Sequence, residues 1–333
     1  MTNPTEPAAP PPTYVAVERP RRSPFTLVTM LLVGGLLGAS CVTCARASFE
    51  LQQDQVFGRP GGDRVGVVEL EGPIMEADEI VRTIRAFARR DDLKGLVLRV
   101  ESPGGAVAPT QEVFEALRYA SERMPVVASM GTVAASGGFW AAMGADWVVA
   151  QPGSLAGSIG VITQSPDLRG LADKVDFRLR IFKSGPVKDL GNPFRELTEQ
   201  DEAVFESIID DMFEQFVDVL VERRDLPRER VLEVADGRVF TGRRAKELGF
   251  VDELGGLHRA AQRAVWLRRQ RDGAPSTDTS TRSVDQIEEP ALVYPRPPAP
   301  EVLRLLTETA GEAAGRGWAS AWSRLAEPSV VAR

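Results

Sequence analysis

Between residues 63 and 151, apolar runs of strand length alternate with segments of helical period, and this alternation restricts the fold more than any other feature of the chain. Val65-Gly66-Val67-Val68-Glu69-Leu70 reads as a strand closed by Gly72-Pro73. Ile80, Ile84 and Phe87 follow at i, i+4 and i+7, the spacing of one helix face. Leu96 to Val100 is a second strand and ends in Glu101-Ser102-Pro103-Gly104-Gly105. Val113, Leu117 and Ala120 mark a second helix, Val126 to Met130 a third strand, and Trp147 to Ala150 a fourth. Strand and helix in this order predict an α/β fold, a parallel sheet with crossover helices.

The third strand leads into Ala134-Ala135-Ser136-Gly137-Gly138, where a helix begins. Backbone N–H groups point outward at such a corner and the helix dipole favours negative charge. Ser136 there is suited to be a nucleophile, but on the motif alone an N-cap or tight packing is the commoner role of a small residue at a helix start. In a parallel sheet the strand C-termini share one edge, so Gly104-Gly105 and Ser136-Gly137 meet in one crevice. Free N–H groups of these glycines would form an oxyanion hole, although Pro103-Gly104-Gly105 alone also reads as a tight turn.

A nucleophilic serine needs a base. The only histidine, His258, follows a helix junction and reads as a surface or packing residue. Lys188, in the loop Lys183 to Leu190, could serve only if neutral. That requires its pKa to fall from about 10.4 to about 7–8, or about 3–5 kcal/mol against the charged form. Loop lysines are ordinarily solvated, so composition does not single it out.

The chain has 333 residues, 43% hydrophobic and 26% charged, with a net charge of −7. This is a globular composition, and the acidic balance argues against nucleic-acid binding. One histidine rules out a His cluster for a metal. Cys41 and Cys44 form a C-x-x-C, but with no second pair and no preceding strand–helix frame, so they read as apolar-segment cysteines. No cofactor and no metal is expected.

Residues 1–24 are rich in Pro, Ala and Thr and read as a disordered tail, closed by Arg19, Arg21 and Arg22. Phe25 to Ala45 then carries no charge over 21 residues, about 31 Å as a helix, which suits a bilayer core. The arginines ahead of it predict a single-pass anchor with a cytoplasmic N-terminus and an exported body. A signal peptide cleaved after Gly38-Ala39-Ser40 is the alternative, and a lipoprotein signal ending at Cys41 a weaker one. Residues 46–62 read as a connector and 63–271 as the globular domain. Within the latter, Phe177 to Phe182 reads as a strand. A long helix follows, with Thr198 and Asp201 as candidate caps and Phe205, Ile209, Met212, Phe216 and Leu220 at helical spacing. Residues 272–300 turn polar and proline-rich and read as a linker. Residues 301–333, with Trp318 and Trp322, form a C-terminal extension.

Ser136-Gly137-Gly138, Gly157-Ser158-Ile159-Gly160, Ser184-Gly185-Pro186-Val187-Lys188-Asp189 and the run from Thr241 to Asp252 stand in the order and spacing of the signal peptide peptidase A family. The chain resembles the short, single-domain form of these membrane-anchored bacterial serine peptidases over about residues 63–270. The resemblance implies a Clp/crotonase-like fold preceded by one transmembrane helix, and location in the bacterial inner membrane. It implies a Ser–Lys dyad of Ser136 and Lys188, with Ser158 orienting the lysine. The N–H groups of Gly137 and of the Gly104-Gly105 turn match the oxyanion hole. It further implies a homo-oligomeric ring with the dyad shared between neighbouring subunits, and remnant signal peptides as substrates. A crotonase-like enzyme acting on acyl thioesters and a non-catalytic membrane scaffold are the alternatives.

Overall fold

The computed structural model describes residues 55–58, 61–273 and 284–295. The expected tail (1–24), anchor (25–45) and C-terminal extension (301–333) lie outside the described residues. Among those described, no helix is long and apolar enough to cross a membrane.

The alternation seen in the sequence becomes β2 (Arg64–Glu71), α1 (Asp78–Phe87), β3 (Gly95–Ser102), α2 (Val107–Ser121), β4 (Val126–Ala135), α3 (Gly137–Ala142) and β5 (Trp147–Ala150). Strands β2 to β5 are neighbours in sequence order and run parallel. Successive side chains on a strand take opposite faces. Leu96, Leu98 and Val100 therefore enter a large core with Phe87, Leu117 and Phe139, while Val65, Val67, Val97 and Val127 meet Ala260, Ala264 and Trp266 on the other face. Burial on both sides explains why these strands are almost continuously apolar.

Two further strands, β6 (Leu155–Gly157) and β7 (Val239–Thr241), pair antiparallel with each other, and β6 also pairs with the end of β4. Between them lie a short helix α4 (Arg169–Lys174), the 26-residue α5 (Glu199–Arg224) and α6 (Arg228–Leu232). Thr198 and Asp201 are both caps of α5, joined in one capping box. After α7 (Gly242–Glu247) and β8 (Glu253–Leu254), the basic helix α8 (Leu257–Arg271) covers the second sheet face. It is less exposed than its charge suggests. Arg263 is 1% exposed, paired to Glu253 and lying over the rings of Trp147 and Trp266.

Two segments differ from expectation. Gln55–Phe57 (β1), inside the expected connector, and Ala291–Tyr294 (β9), inside the expected linker, are strands of the main sheet. β9 inserts between β1 and β2, parallel to β2 and antiparallel to β1. Val284, Ile287 and Leu292 join the core under α8, so the domain reaches beyond residues 63–271. Phe177 to Phe182, by contrast, is not a strand. Its apolar side chains are exposed, Phe182 to 95%, and among the described residues no strand pairs with it.

Candidate active site

The site forms where β4 ends. β4 and β6 run parallel with Ala135 opposite Gly157, so the next residues, Ser136 and Ser158, stand side by side. Both are non-glycine residues with positive φ, 49° and 52°. Ser136 is fixed from both sides. Its N–H donates to the Gly157 carbonyl (2.8 Å), and its own carbonyl accepts the Trp140 N–H (2.9 Å) as α3 begins. Its hydroxyl makes no cap bond to the helix. Positive φ in a residue with a Cβ costs about 1–3 kcal/mol, and here the flanking pairing enforces it.

The Gly104-Gly105 turn comes from the end of β3 and is pressed against this corner. A Cβ on Gly104, whose φ is +102°, would lie 2.6 Å from the Gly137 nitrogen and 2.8 Å from the Ser136 Cβ. Only glycine fits there, on conformation and on space alike. The Gly104 N–H is engaged within the turn, donating to Ser102 Oγ at 3.1 Å, while Ser102 Oγ donates to the Gly72 carbonyl at 2.6 Å. Of the three expected oxyanion glycines, Gly104 thus shapes the turn. Gly105 and Gly137 line the cavity beside Ser136.

That cavity holds about 580 Å³. Its apolar wall includes Val107, Trp140, Ile159, Ile209, Phe213 and Phe216, and the Trp140 and Phe216 rings stack at 4.7 Å. The middle of α5, from Ile209 to Phe216, roofs it, while Val217 and Leu220 one turn on pack into the core. Asp210 and Asp236 stand at its polar margin, the latter paired to Arg238. An apolar cleft with a serine and backbone donors at one end suits acyl transfer on an extended apolar chain. Among the described residues no group of three or more His, Cys, Asp or Glu side chains is placed to hold a metal.

Lys188 is not brought to Ser136 in the single chain. It is exposed, lies in a turn, and is not among the cavity's lining residues. The turn itself is firmly held. The Asp189 carboxylate accepts from Arg195 Nε (2.9 Å) and Lys183 Nζ (2.6 Å), and Arg195 Nη2 donates to Asp201 Oδ1 (2.9 Å) at the start of α5. The Arg195 guanidinium, helped by Lys183, holds the Asp189 carboxyl well below its usual range. Arg195 and the Thr198 N–H do the same for Asp201, and the two carboxylates raise Arg195 in turn. His258 is a surface residue, paired to Glu289 away from the cavity.

Sequence reasoning missed Ser102, Thr110 and the α5 roof. Thr110 is buried, its hydroxyl 2.5 Å from where a Gly137 Cβ would stand, so it closes α2 onto the corner. Helical spacing identified Ile209 and Phe216 as one face of α5, but period alone does not say which crevice that face covers.

The family model of Peptidase family S49 matches residues 118–270, and that of Clp protease matches residues 64–153. Across 195 residues the chain is 41% identical to a Synechocystis protein provisionally named as a protease, covering 59% of this chain and 68% of that one. It is 34% identical to the chloroplastic serine protease SPPA of Arabidopsis thaliana over 63% of this chain and 31% of that protein. It is 32% identical to an Enterococcus faecium protein provisionally named as the signal peptide peptidase SppA, over 49% of this chain and 48% of that one.

Proposed function

Since this chain belongs to peptidase family S49, the signal peptide peptidase A family of serine-type endopeptidases, we propose that Ser136 is its nucleophile and Lys188 of a neighbouring protomer its general base. The neutral amine of Lys188 takes the Ser136 hydroxyl proton as Oγ attacks the peptide carbonyl carbon. The N–H groups of Gly137 and Gly105 hold the oxyanion. Collapse expels the amine fragment, which receives the proton from Lys188, and leaves an acyl-enzyme. Water, deprotonated by the same lysine, then attacks the acyl carbon, the C–Oγ bond breaks to release the acid, and the lysine returns the proton to Ser136 Oγ. Ser158 orients the lysine.

The observation that carries this reading is Ser136 itself, held at φ 49° beside Ser158 at the mouth of an apolar cavity, with Gly105 and Gly137 next to it. The need for a second protomer is supported by the exposed Lys188 and by the exposed apolar side chains of Leu179, Ile181 and Phe182 just before it. The apolar cavity suits the hydrophobic stretch of a remnant signal peptide. The uncharged segment Phe25 to Ala45 would hold the enzyme at the bacterial inner membrane where such peptides are left, with the body on the exported side.

A fluorophosphonate probe applied to the membrane-extracted protein tests the nucleophile. The expected result is one adduct, on Ser136, and loss of peptide hydrolysis in Ser136→Ala. Undiminished hydrolysis by Ser136→Ala would overturn the reading.

A further inference from the structure

β4 changes partners on its way to Ser136. Val127–Met130 pair with β5, whereas Val133–Ala135 pair with β6. On the opposite side β3 stays in contact throughout, but the register slips. From Val100 to Ser102 β3 advances two residues, while β4 advances four, from Met130 to Ala134. Two extra residues of β4 are looped out between its two partners. The length and shape of this bulge decide where Ser136 stands relative to the turn that follows Ser102.

The bulge is held by a small set of side chains. Glu101 Oε2 accepts the Thr132 N–H at 2.7 Å. Its other oxygen accepts from Arg99 Nη2 at 2.5 Å, and Arg99 Nη1 reaches Ser129 Oγ at 3.2 Å. From the far side, Ser154 Oγ donates to the Gly131 carbonyl at 2.5 Å. The Glu101 carboxylate also lies flat against Gly131, where an added Cβ would sit 1.6 Å from Oε1. A side chain at position 131 would push the carboxylate out of this place.

We propose that Glu101 is a positioning residue for the nucleophile, acting through the Gly131–Thr132 bulge. It rests on the reading of Ser136 as nucleophile. Glu101 immediately precedes Ser102, which holds the Gly104 N–H, and Thr132 lies four residues before Ser136. One carboxylate therefore ties together the two strands that end in the oxyanion turn and in the nucleophile. Glu101 is not among the residues lining the cavity, so its effect falls on the placement of reacting groups and not on substrate contact. Misplacement of about 1 Å at a reacting centre costs up to about 100-fold in rate.

The test uses four variants of the full-length, membrane-extracted protein: Glu101→Ala, Glu101→Gln, Gly131→Ala and the double variant Glu101→Ala/Gly131→Ala. Gly131→Ala keeps the carboxylate but pushes it off Thr132, so it asks the same question without deleting a charge. Peptide hydrolysis and the rate of fluorophosphonate acylation at Ser136 are both measured, with thermal melting beside them. Glu101→Ala and Gly131→Ala are each expected to lower kcat and the acylation rate about 10- to 100-fold with KM little changed. Glu101→Gln, whose amide oxygen still accepts from Thr132, should recover part of the loss. The pH at which activity rises to half its maximum should not move, since the base is untouched.

In the double variant, Gly131→Ala should add nothing to Glu101→Ala, because the carboxylate it displaces is already gone. Wild-type acylation rates in both single variants overturn the proposal, and so do losses that multiply in the double variant. Failure of the probe to label Ser136 in the wild type would instead remove the nucleophile assignment on which the proposal stands.

Discussion

Ser136 occupies φ 49° and ψ −121°, a conformation that glycine adopts freely and a serine adopts only under constraint. The strain separates two ways of removing the hydroxyl. Ser136→Ala keeps the Cβ and the strain, whereas Ser136→Gly removes both. Both variants should be inactive, and Ser136→Gly should be the more stable by about 1 kcal/mol, after the entropy that glycine adds to the unfolded chain is set against the relief. Chemical denaturation of the two proteins side by side measures this, and a Ser136→Gly protein less stable than Ser136→Ala would show the corner to be unstrained. Ser136 was visible in the sequence because small residues and a glycine pair at a strand end are a local signal. Lys188 was not, since what makes a lysine a base is the company it keeps, and only family resemblance selected it. Ser102 sat within a recognised turn, yet its grip on the Gly104 N–H depends on β2 lying beside β3, which no local pattern states.

The loop that carries Lys188 and the helix α5 are joined by Arg195, which bridges Asp189 and Asp201. Asp201 is also the capping-box residue of α5, so one arginine fixes the Lys188 loop to the helix that roofs the cavity. Both carboxyls titrate below their ordinary value. The tie therefore contributes in full wherever unfolded carboxyls are ionised, above about pH 5, and is lost as the pH falls below about 4 through the depressed values. Hydrogen exchange over residues 183–202 should stay constant from pH 7 to 5, after correction for intrinsic rates, and quicken below 4. Arg195→Ala should show the quickened exchange already at pH 7. A pH-independent pattern would mean that the tie holds nothing. At this scale the parallel strands were legible because buried runs with glycine turns have few other readings. β9 was not, because four residues in a proline-rich stretch find their place by pairing with β1 and β2, far upstream. Phe177 to Phe182 reads as a strand in the sequence, yet a strand also needs a backbone partner, and among the described residues it pairs with none.

At the scale of the whole molecule, an exposed apolar segment in the same stretch as an exposed lysine, and a serine at a separate cavity, make opposite demands on one chain. In the proposed arrangement a second protomer would meet both. Covering Phe177 to Phe182 removes apolar surface from water, and covering Lys188 takes it out of solvent and brings it to Ser136. Assembly and activation of the base then become one event, and an isolated protomer should be inactive with both residues intact. Mixing separates this arrangement from a dyad within one chain. Ser136→Ala and Lys188→Ala are each expected to form inactive rings. Unfolded together in equal amounts and reassembled, they should regain about a quarter of wild-type hydrolysis, because in a cyclic assembly a random interface joins an intact serine to an intact lysine with that frequency. A dyad completed within each chain leaves the mixture as inactive as its parents. Recovery that rises and falls with the product of the two subunit fractions, peaking at equal amounts, would place serine and lysine on different chains without reference to any ring size.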